Sequence, residues 1–160
     1  MNLAQSPHIP AEGKKPGWKD LPWLAAYSAR GLAELIRARL IFEKLQARAI
    51  RERNRAARGR ALADALLEDA ALARIAYVLP RLSARLPWRS DCLIQAIAAQ
   101  NWLSSMGAAS EIQIGVENPK DGKFGAHAWL MHGEAVVTGG EIDRYSVLLA
   151  DSQRAPDSES

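Results

Sequence analysis

Residues 90–107 read SDCLIQAIAAQNWLSSMG, and this stretch predicts the helix around which the rest of the chain folds. Its apolar residues recur at helical spacing, Ser90 or Asp91 can cap its start, and Gly107 can end it. Cys92, the single cysteine, therefore lies in the first turn. A helix N-terminus favours a thiolate through its unpaired N–H groups and dipole, although a lone cysteine there also suits a small buried apolar residue.

Beyond this helix the apolar pattern changes to the period of two that is typical of strands. Residues 111–116 (EIQIGV) and 124–131 (FGAHAWLM) alternate in this way, and an HGE turn joins the second strand to residues 135–138 (AVVT) as a hairpin. Residues 139–149 (GGEIDRYSVLL) can add a last short strand. Helices followed by antiparallel strands predict an α+β fold.

Upstream, residues 21–85 are predicted to form a basic helical region that precedes a core at residues 86–150. Apolar spacing predicts one long helix from Leu21 to about Ile50, which Gly31 can break. A second helix is predicted from Ala61 to about Leu79, and Pro80 is expected to end it.

Charge is distributed unevenly along the chain. Residues 1–90 hold 17 Lys and Arg against 8 Asp and Glu, whereas residues 91–160 hold 4 against 10, so their formal charges are +9 and −6. The arginines of RERNRAARGR (51–60) have three interpretations: a solvated helix face, a contact with nucleic acid or an anionic membrane, and a contact with an acidic peptide or protein. Nearby glutamates and the lack of interleaved aromatic residues favour the solvated face.

Composition limits the class of protein. The chain has 160 residues, 48% of them hydrophobic, which suits one compact domain. One cysteine cannot form an intramolecular disulfide, and the sequence has no secretory signal and no run of 18 apolar residues, so a cytoplasmic protein is expected. Residues 1–20 and 151–160 are expected to be a disordered leader segment and tail. No zinc-ligand spacing or phosphate-binding loop is present, so no metal and no cofactor is predicted.

His127 is the residue in the predicted strands that most needs an explanation. By the period of two it shares a face with Trp129 and Met131, and both faces of its strand are rich in apolar residues. A buried imidazole without a hydrogen bond costs about 1 to 3 kcal/mol, so it must be bonded or be used. Cys92 and His127 are the two residue types that form a thiolate–imidazolium pair in cysteine enzymes. The alternative is that His127 is a core residue whose ring is hydrogen-bonded, which is more often the case for a lone histidine.

Such a pair usually has a third group that orients the imidazole. A two-residue hairpin loop puts His127 opposite Thr138 or Gly140, and neither is an acid. The nearest carboxylates are Glu141 and Asp143, which the flexible glycines before them allow to fold back. Proximity favours Glu141 and residue type favours Asp143.

Three segments carry a resemblance to a known family. LPWRSDCLIQAIAAQNWLSSMGAASEIQIGV (86–116), FGAHAWLMHGEAVV (124–137) and RYSVLL (144–149) resemble the B2 leader peptidases of lasso-peptide biosynthesis, a transglutaminase-like, papain-related family of cysteine proteases. The resemblance implies a catalytic cysteine at a helix N-terminus packed on a small antiparallel sheet. It also implies a Cys-His-Asp triad, carried onto Cys92 and His127.

The third member is less well matched, because Thr-Gly-Gly stands where an aspartate is expected after the strand. The resemblance leaves Asp143 or Glu141 for that role. If neither serves, the site is a dyad, or a backbone or side-chain carbonyl orients the ring.

The resemblance also implies an activity and partners. Members of the family remove the leader from a ribosomally made lasso precursor, which implies amide hydrolysis through an acyl-enzyme on Cys92, with the Cys92 backbone N–H as an oxyanion donor. The amine released is then joined to an acidic side chain by an ATP-dependent, macrolactam-forming cyclase (C type). Residues 1–85 lack the short strands of a fused recognition domain, so a separate leader-recognition protein (B1 type) is expected as a partner.

Two other functions remain open at this stage. The same pair is found in transglutaminase-like enzymes that transfer acyl groups to amines. In a non-enzymatic adaptor, the basic helices bind nucleic acid or a membrane while Cys92 and His127 are core residues. The peptidase interpretation expects no nucleic acid and no membrane contact.

Overall fold

The computed structural model describes residues 16–44, 49–62, 67–88, 91–117 and 125–149. The helices in these ranges are α1 (Leu21–Phe42), α2 (Ala49–Arg60), α3 (Asp69–Ser83) and α4 (Cys92–Ser105). The strands are β1 (Glu111–Glu117), β2 (Gly125–His132), β3 (Ala135–Thr138) and β4 (Tyr145–Leu149). Helices followed by an antiparallel sheet make an α+β fold, and that prediction is confirmed.

The first upstream helix is shorter than predicted. α1 ends at Phe42 and α2 begins at Ala49, so the expected continuous helix is wrong. Gly31 does not break α1. It is buried, and a Cβ at this position would lie 3.0 Å from Leu82 Cδ1 and 3.1 Å from Val78 Cγ1. Gly31 therefore marks the place where α1 and α3 pack closely.

The bounds of α3 also differ from the prediction. It begins at Asp69 rather than Ala61 and continues through Pro80 to Ser83. Proline lacks an N–H and gives up one helical hydrogen bond. The Pro80 carbonyl still accepts a bond from Ala84 N at 3.0 Å, and the face of α3 that carries this turn is buried, so the helix continues.

The arginine-rich segment forms α2, which Asn54 fixes to the core. Asn54 is fully buried, and its Nδ2 donates to the Ile112 carbonyl while its Oδ1 accepts from Ile112 N, each at 2.9 Å. Gln100 Nε2 of α4 donates to the same Oδ1 at 3.0 Å. The backbone N–H and C=O of Ile112 in β1 are therefore both bonded to a side chain of α2. Arg51 and Arg55 of the same helix are exposed.

The sheet has the order β3-β2-β1-β4 with antiparallel neighbours. In the central pair, Gly115 lies opposite His127 and Ile112 opposite Leu130. Ile112 and Leu130 are fully buried and belong to the same hydrophobic cluster as residues of all the helices. α4 packs against β2 from that side, so the start of α4 lies beside the middle of β2.

The local signals that end these elements behave as predicted. Gly107 follows α4 with φ of 76°, a left-handed conformation that glycine adopts without strain. The β2–β3 hairpin closes through Gly133 and Glu134, since His132 pairs with Ala135. The predicted last strand is present as β4.

The predicted disordered segments fall mostly on residues 1–15 and 151–160, outside the described residues. The predicted leader also covers Trp18–Asp20, which form a turn of 3-10 helix before α1. In the ranges that the structure describes, no helix has both the length and the apolar content needed to cross a membrane.

Candidate active site

Cys92 is the first residue of α4 and is half-buried. Asp91 precedes it in an extended conformation, with φ of −60° and ψ of 163°, and its side chain makes no capping hydrogen bond to the helix. The N–H groups of the first turn are therefore not taken by that carboxylate. They add partial positive charge beside the thiol, as predicted from the sequence.

The Cys92 thiol lies against the backbone of β2. Ala128 N donates a hydrogen bond to Cys92 Sγ at 3.4 Å. This N–H is free for the thiol because the pairing of β2 with β3 ends at Leu130 and Thr138, before it reaches Ala128. The bond holds the sulfur atom against the backbone of the strand that carries His127.

His127 is the residue immediately before Ala128, and its half-buried ring is held by a backbone group. His127 Nε2 lies 2.7 Å from the Gly139 carbonyl oxygen. A carbonyl oxygen only accepts hydrogen bonds, so Nε2 carries a proton. In the neutral ring Nδ1 is therefore the nitrogen with the free lone pair, which is the atom able to take a thiol proton.

Two aromatic rings pack around this imidazole. The Tyr145 ring stacks on His127 with a centroid distance of 4.8 Å and an interplanar angle of 27°. Trp129 lies 6.1 Å from His127 and 6.2 Å from Tyr145, and its Nε1 donates to Gln113 Oε1 at 3.0 Å. The three rings form one aromatic group, and their packing limits rotation of the imidazole.

Two glycines make room for these rings. A Cβ on Gly115 would lie 2.7 Å from Trp129 Cη2 and 2.9 Å from the Ser146 carbonyl oxygen. A Cβ on Gly139 would collide with Trp129 Cβ, and Gly139 has φ of 115°, which side-chain-bearing residues rarely adopt. Gly139 thus brings its carbonyl to the imidazole through a backbone that only glycine accepts easily.

The two predicted acids lie elsewhere. Glu141 and Asp143 are exposed in the connection between β3 and β4. Among the described residues, the hydrogen bond to the His127 ring is the one with Gly139, and neither carboxylate joins it. The structure therefore places the Cys92 thiol against Ala128, the residue after His127, and it does not bring Glu141 or Asp143 to the ring.

Arg144 lies at the border of the aromatic group. Its guanidinium is 5.1 Å from the Tyr145 ring centroid, and its Nε is 3.9 Å from Glu117 Oε1. A hydrogen bond with the Tyr145 side chain, followed by the charge of that group and of Glu117, raises the pKa of Arg144 above its ordinary value. Arg144 remains a cation at the outer edge of the site.

The sequence did not identify Gly139, Tyr145 or Trp129 as parts of the site. The only local signal for Gly139 is the Gly-Gly pair after β3, and Tyr145 is far from His127 along the chain. Within the described ranges, no three His, Cys, Asp or Glu side chains are grouped so as to hold a metal ion.

Comparison with known proteins adds one finding. The family model described as "Transglutaminase-like superfamily" matches residues 32–150, which include all of α2, α3, α4 and the sheet. No curated protein and no solved structure gives a significant match.

Proposed function

This chain belongs to the transglutaminase-like superfamily, whose members include cysteine proteases and acyltransferases, and on that premise we propose that it is a leader peptidase. Its substrate is a ribosomally made lasso-peptide precursor. The bond it breaks is the amide that joins the leader to the region that becomes the product.

One observation carries the proposal. The Gly139 carbonyl fixes the proton of His127 on Nε2, and the thiol of Cys92 accepts a bond from the backbone of the very next residue, Ala128. The Cys92 sulfur therefore bonds to the residue that follows His127 in β2, and His127 keeps a free lone pair on Nδ1. Nucleophilic catalysis by a thiol needs a base close to the sulfur, and this neighbourhood supports His127 in that role.

In the first half of the reaction, His127 Nδ1 takes the proton of Cys92, and the thiolate attacks the carbonyl carbon of the leader's last residue. The C=O π electrons move to oxygen, which the Cys92 backbone N–H stabilises. The tetrahedral intermediate collapses, the C–N bond breaks, and His127 gives its proton to the leaving amine.

In the second half, His127 Nδ1 takes a proton from water, and the hydroxide attacks the thioester. The C–S bond breaks, and the proton returns to the sulfur atom of Cys92. The leader leaves as a carboxylic acid, and the rest of the precursor has a new N-terminal amine. This amine is the group that an ATP-dependent cyclase joins to an acidic side chain.

The partners follow from the same assignment. We expect the chain to act on a leader that is held by a separate recognition protein, and to pass its product to the cyclase. The dyad of Cys92 and His127 performs the chemistry, and the Gly139 carbonyl takes the orienting role that Asp143 or Glu141 was expected to play.

The test is cleavage of the precursor by the full chain in the presence of the recognition protein, followed by mass spectrometry. Wild type should release the leader with the gain of one water molecule. Cys92→Ala and His127→Ala should lower the rate by about 10²-fold or more, because each removes a reacting group. His132→Ala is the matched control, since His132 bonds to the Ala109 carbonyl at the other end of β2.

Three outcomes would contradict the proposal. Cleavage that persists in Cys92→Ala refutes the thiol mechanism. A leader that is joined to an added primary amine rather than to water identifies an acyltransferase. No cleavage by wild type with the partner present refutes the choice of substrate.

A further inference from the structure

A cavity lies between α1, α2 and α4, and none of the candidate active-site residues lines it. Its volume is about 640 Å³. It lies toward the C-terminal end of α4, where Gln100 and Asn101 form part of its wall. Cys92 is at the other end of the same helix, so the cavity is separate from the candidate active site.

Three arginines line this cavity. Arg37 comes from α1, and Arg53 and Arg60 come from α2, whereas Glu52 is the one acid among the lining residues that the structure describes. Burial, and then the charges of Arg37 and Arg60, lower the pKa of Arg53 below its ordinary value. The positive potentials of the three arginines therefore add at Arg53, and the cavity attracts anions.

Polar atoms without partners occur in the same wall. Within the described part of the chain, Arg53 Nε and Asn101 Nδ2 are buried donors without an acceptor, and Gln100 Oε1 is a buried acceptor without a donor. Other polar atoms of these side chains are bonded within the protein. Arg53 Nη2 donates to Asn101 Oδ1 at 2.7 Å, and Gln100 Nε2 donates to Asn54 Oδ1. Buried polar atoms are normally bonded, so each of these atoms has capacity for one further partner.

The donors and the acceptor together restrict the class of ligand. A carboxylate or a phosphodiester accepts hydrogen bonds from arginine and asparagine, but neither supplies a donor for Gln100. The backbone of a peptide segment supplies both a C=O for Asn101 and an N–H for Gln100. Ile41, Ala49 and Ala56 add apolar wall on which aliphatic side-chain carbons can pack.

We infer that this cavity binds an acidic segment of a peptide chain. Its carboxylates pair with Arg37, Arg53 and Arg60, and a C=O and an N–H of its backbone bond to Asn101 and Gln100. The binding does not depend on the proposed function. Only the identity of the peptide as part of the cleaved precursor rests on it.

The geometry of α4 relates the cavity to the thiol. Cys92 and Gln100 are separated by roughly 12 Å along the helix axis, at about 1.5 Å per residue. An extended peptide covers that distance with about four residues. A precursor anchored here by acidic side chains would therefore present a bond at least about four residues away to Cys92.

The test is fluorescence anisotropy with a labelled six-residue peptide of alternating Glu and Ala, titrated with the full chain carrying Cys92→Ala so that no cleavage occurs. Binding should weaken about fivefold or more in Arg37→Gln and in Arg60→Gln, both of which change exposed side chains. Arg55→Gln is the matched control, because Arg55 is exposed on α2 and is not among the lining residues. It should change binding less than twofold.

The outcomes are distinct. Equal binding of a peptide with Gln in place of Glu, or equal weakening by Arg55→Gln, overturns the cavity as the site. Tighter binding of inorganic phosphate or of a single-stranded oligonucleotide through the same arginines overturns the acidic peptide. Acidic-peptide binding with no leader cleavage by wild type would refute the peptidase alone.

Discussion

The Gly139 carbonyl oxygen and His127 Nε2 are 2.7 Å apart, and this bond orients the imidazole with a backbone dipole. A dipole fixes the tautomer as a carboxylate does, but it carries no full charge and stabilises the imidazolium less. The carbonyl belongs to the backbone, so no side-chain substitution at residue 139 removes it. The behaviour of variants around the ring should therefore differ from that of a triad with an acid.

The two acids first expected to orient the ring should be dispensable. Asp143→Asn and Glu141→Gln remove charges from exposed side chains that do not bond to His127. We expect leader cleavage within about threefold of wild type for both, since exposed charges contribute little. A loss of 10²-fold or more in either variant would show that an acid folds back onto the ring during catalysis.

Gly139→Ala should disturb both stability and the site. The new Cβ would collide with Trp129 Cβ, and alanine is strained at φ of 115°. We expect a loss of about 2 to 4 kcal/mol in the free energy of unfolding, measured in urea. Gly140→Ala is the control, because Gly140 has φ of 66° and open space around it, so the expected loss is only about 1 kcal/mol. Equal losses would mean that contact with Trp129 is not the cause.

Tyr145 should affect the rate of cleavage through the His127 ring. Tyr145→Ala removes the stacked ring, and because such pairs are worth about 0.5 to 1.5 kcal/mol, we expect kcat to fall by about 2- to 12-fold with little change in KM. Tyr145→Phe keeps the stack and should restore kcat. If the phenylalanine variant is as slow as the alanine variant, the hydroxyl rather than the stacking matters.

Asn54→Ala should destabilise the whole protein. It leaves the buried N–H and C=O of Ile112 without their partner, and each such group costs about 1 to 3 kcal/mol. We expect the free energy of unfolding to fall by about 2 to 4 kcal/mol in a urea titration. Arg51→Ala, on the exposed face of the same helix, should change it by less than about 0.5 kcal/mol. Similar values for the two variants would contradict the role of Asn54.

The pKa of the Asp20 carboxyl leads to a prediction about stability at acid pH. Hydrogen bonds from Trp23 Nε1 at 2.9 Å and from Gly17 N at 2.8 Å lower the pKa of its carboxyl below the ordinary value of 3.8. Because the folded pKa is the lower one, the carboxylate stabilises the start of α1 above pH 3.8, and this contribution is lost as the pH falls through the folded pKa. NMR titration of the carboxyl carbon should give a midpoint under 3.8, and a midpoint at or above 3.8 would contradict these bonds.

The elements nearest the site were predictable because their signals are local. The start of α4 at Cys92, the glycine after α4 and the strand around His127 each depend on a few neighbouring residues, and all three are present in the structure. The predicted side-chain cap is not, because the Asp91 side chain makes no capping hydrogen bond. The break between α1 and α2 was missed because apolar residues continue at helical spacing across it. The bonds that Asn54 makes to Ile112 and Gln100 were missed as well, because they join residues that are far apart along the chain.

The orienting group was missed for a different reason. The β2–β3 register shifts between Leu130 and Met131, so pairing ends before His127 and the residue opposite it cannot be counted from the hairpin turn. The ring then bonds to a backbone oxygen, which every residue has. No residue type could mark Gly139 as the acceptor, and only its unusual backbone angle distinguishes it.

The Asn54 amide has one more consequence, which concerns contacts between copies of the chain. It offers β1 a donor and an acceptor at Ile112, just as the N–H and C=O of one residue in a neighbouring antiparallel strand would. It does so beyond the last pair that β1 makes with β4, at Ile114. An open strand edge at this point would invite pairing with another molecule and aggregation. By occupying that edge, one buried side chain protects the sheet from intermolecular strand addition.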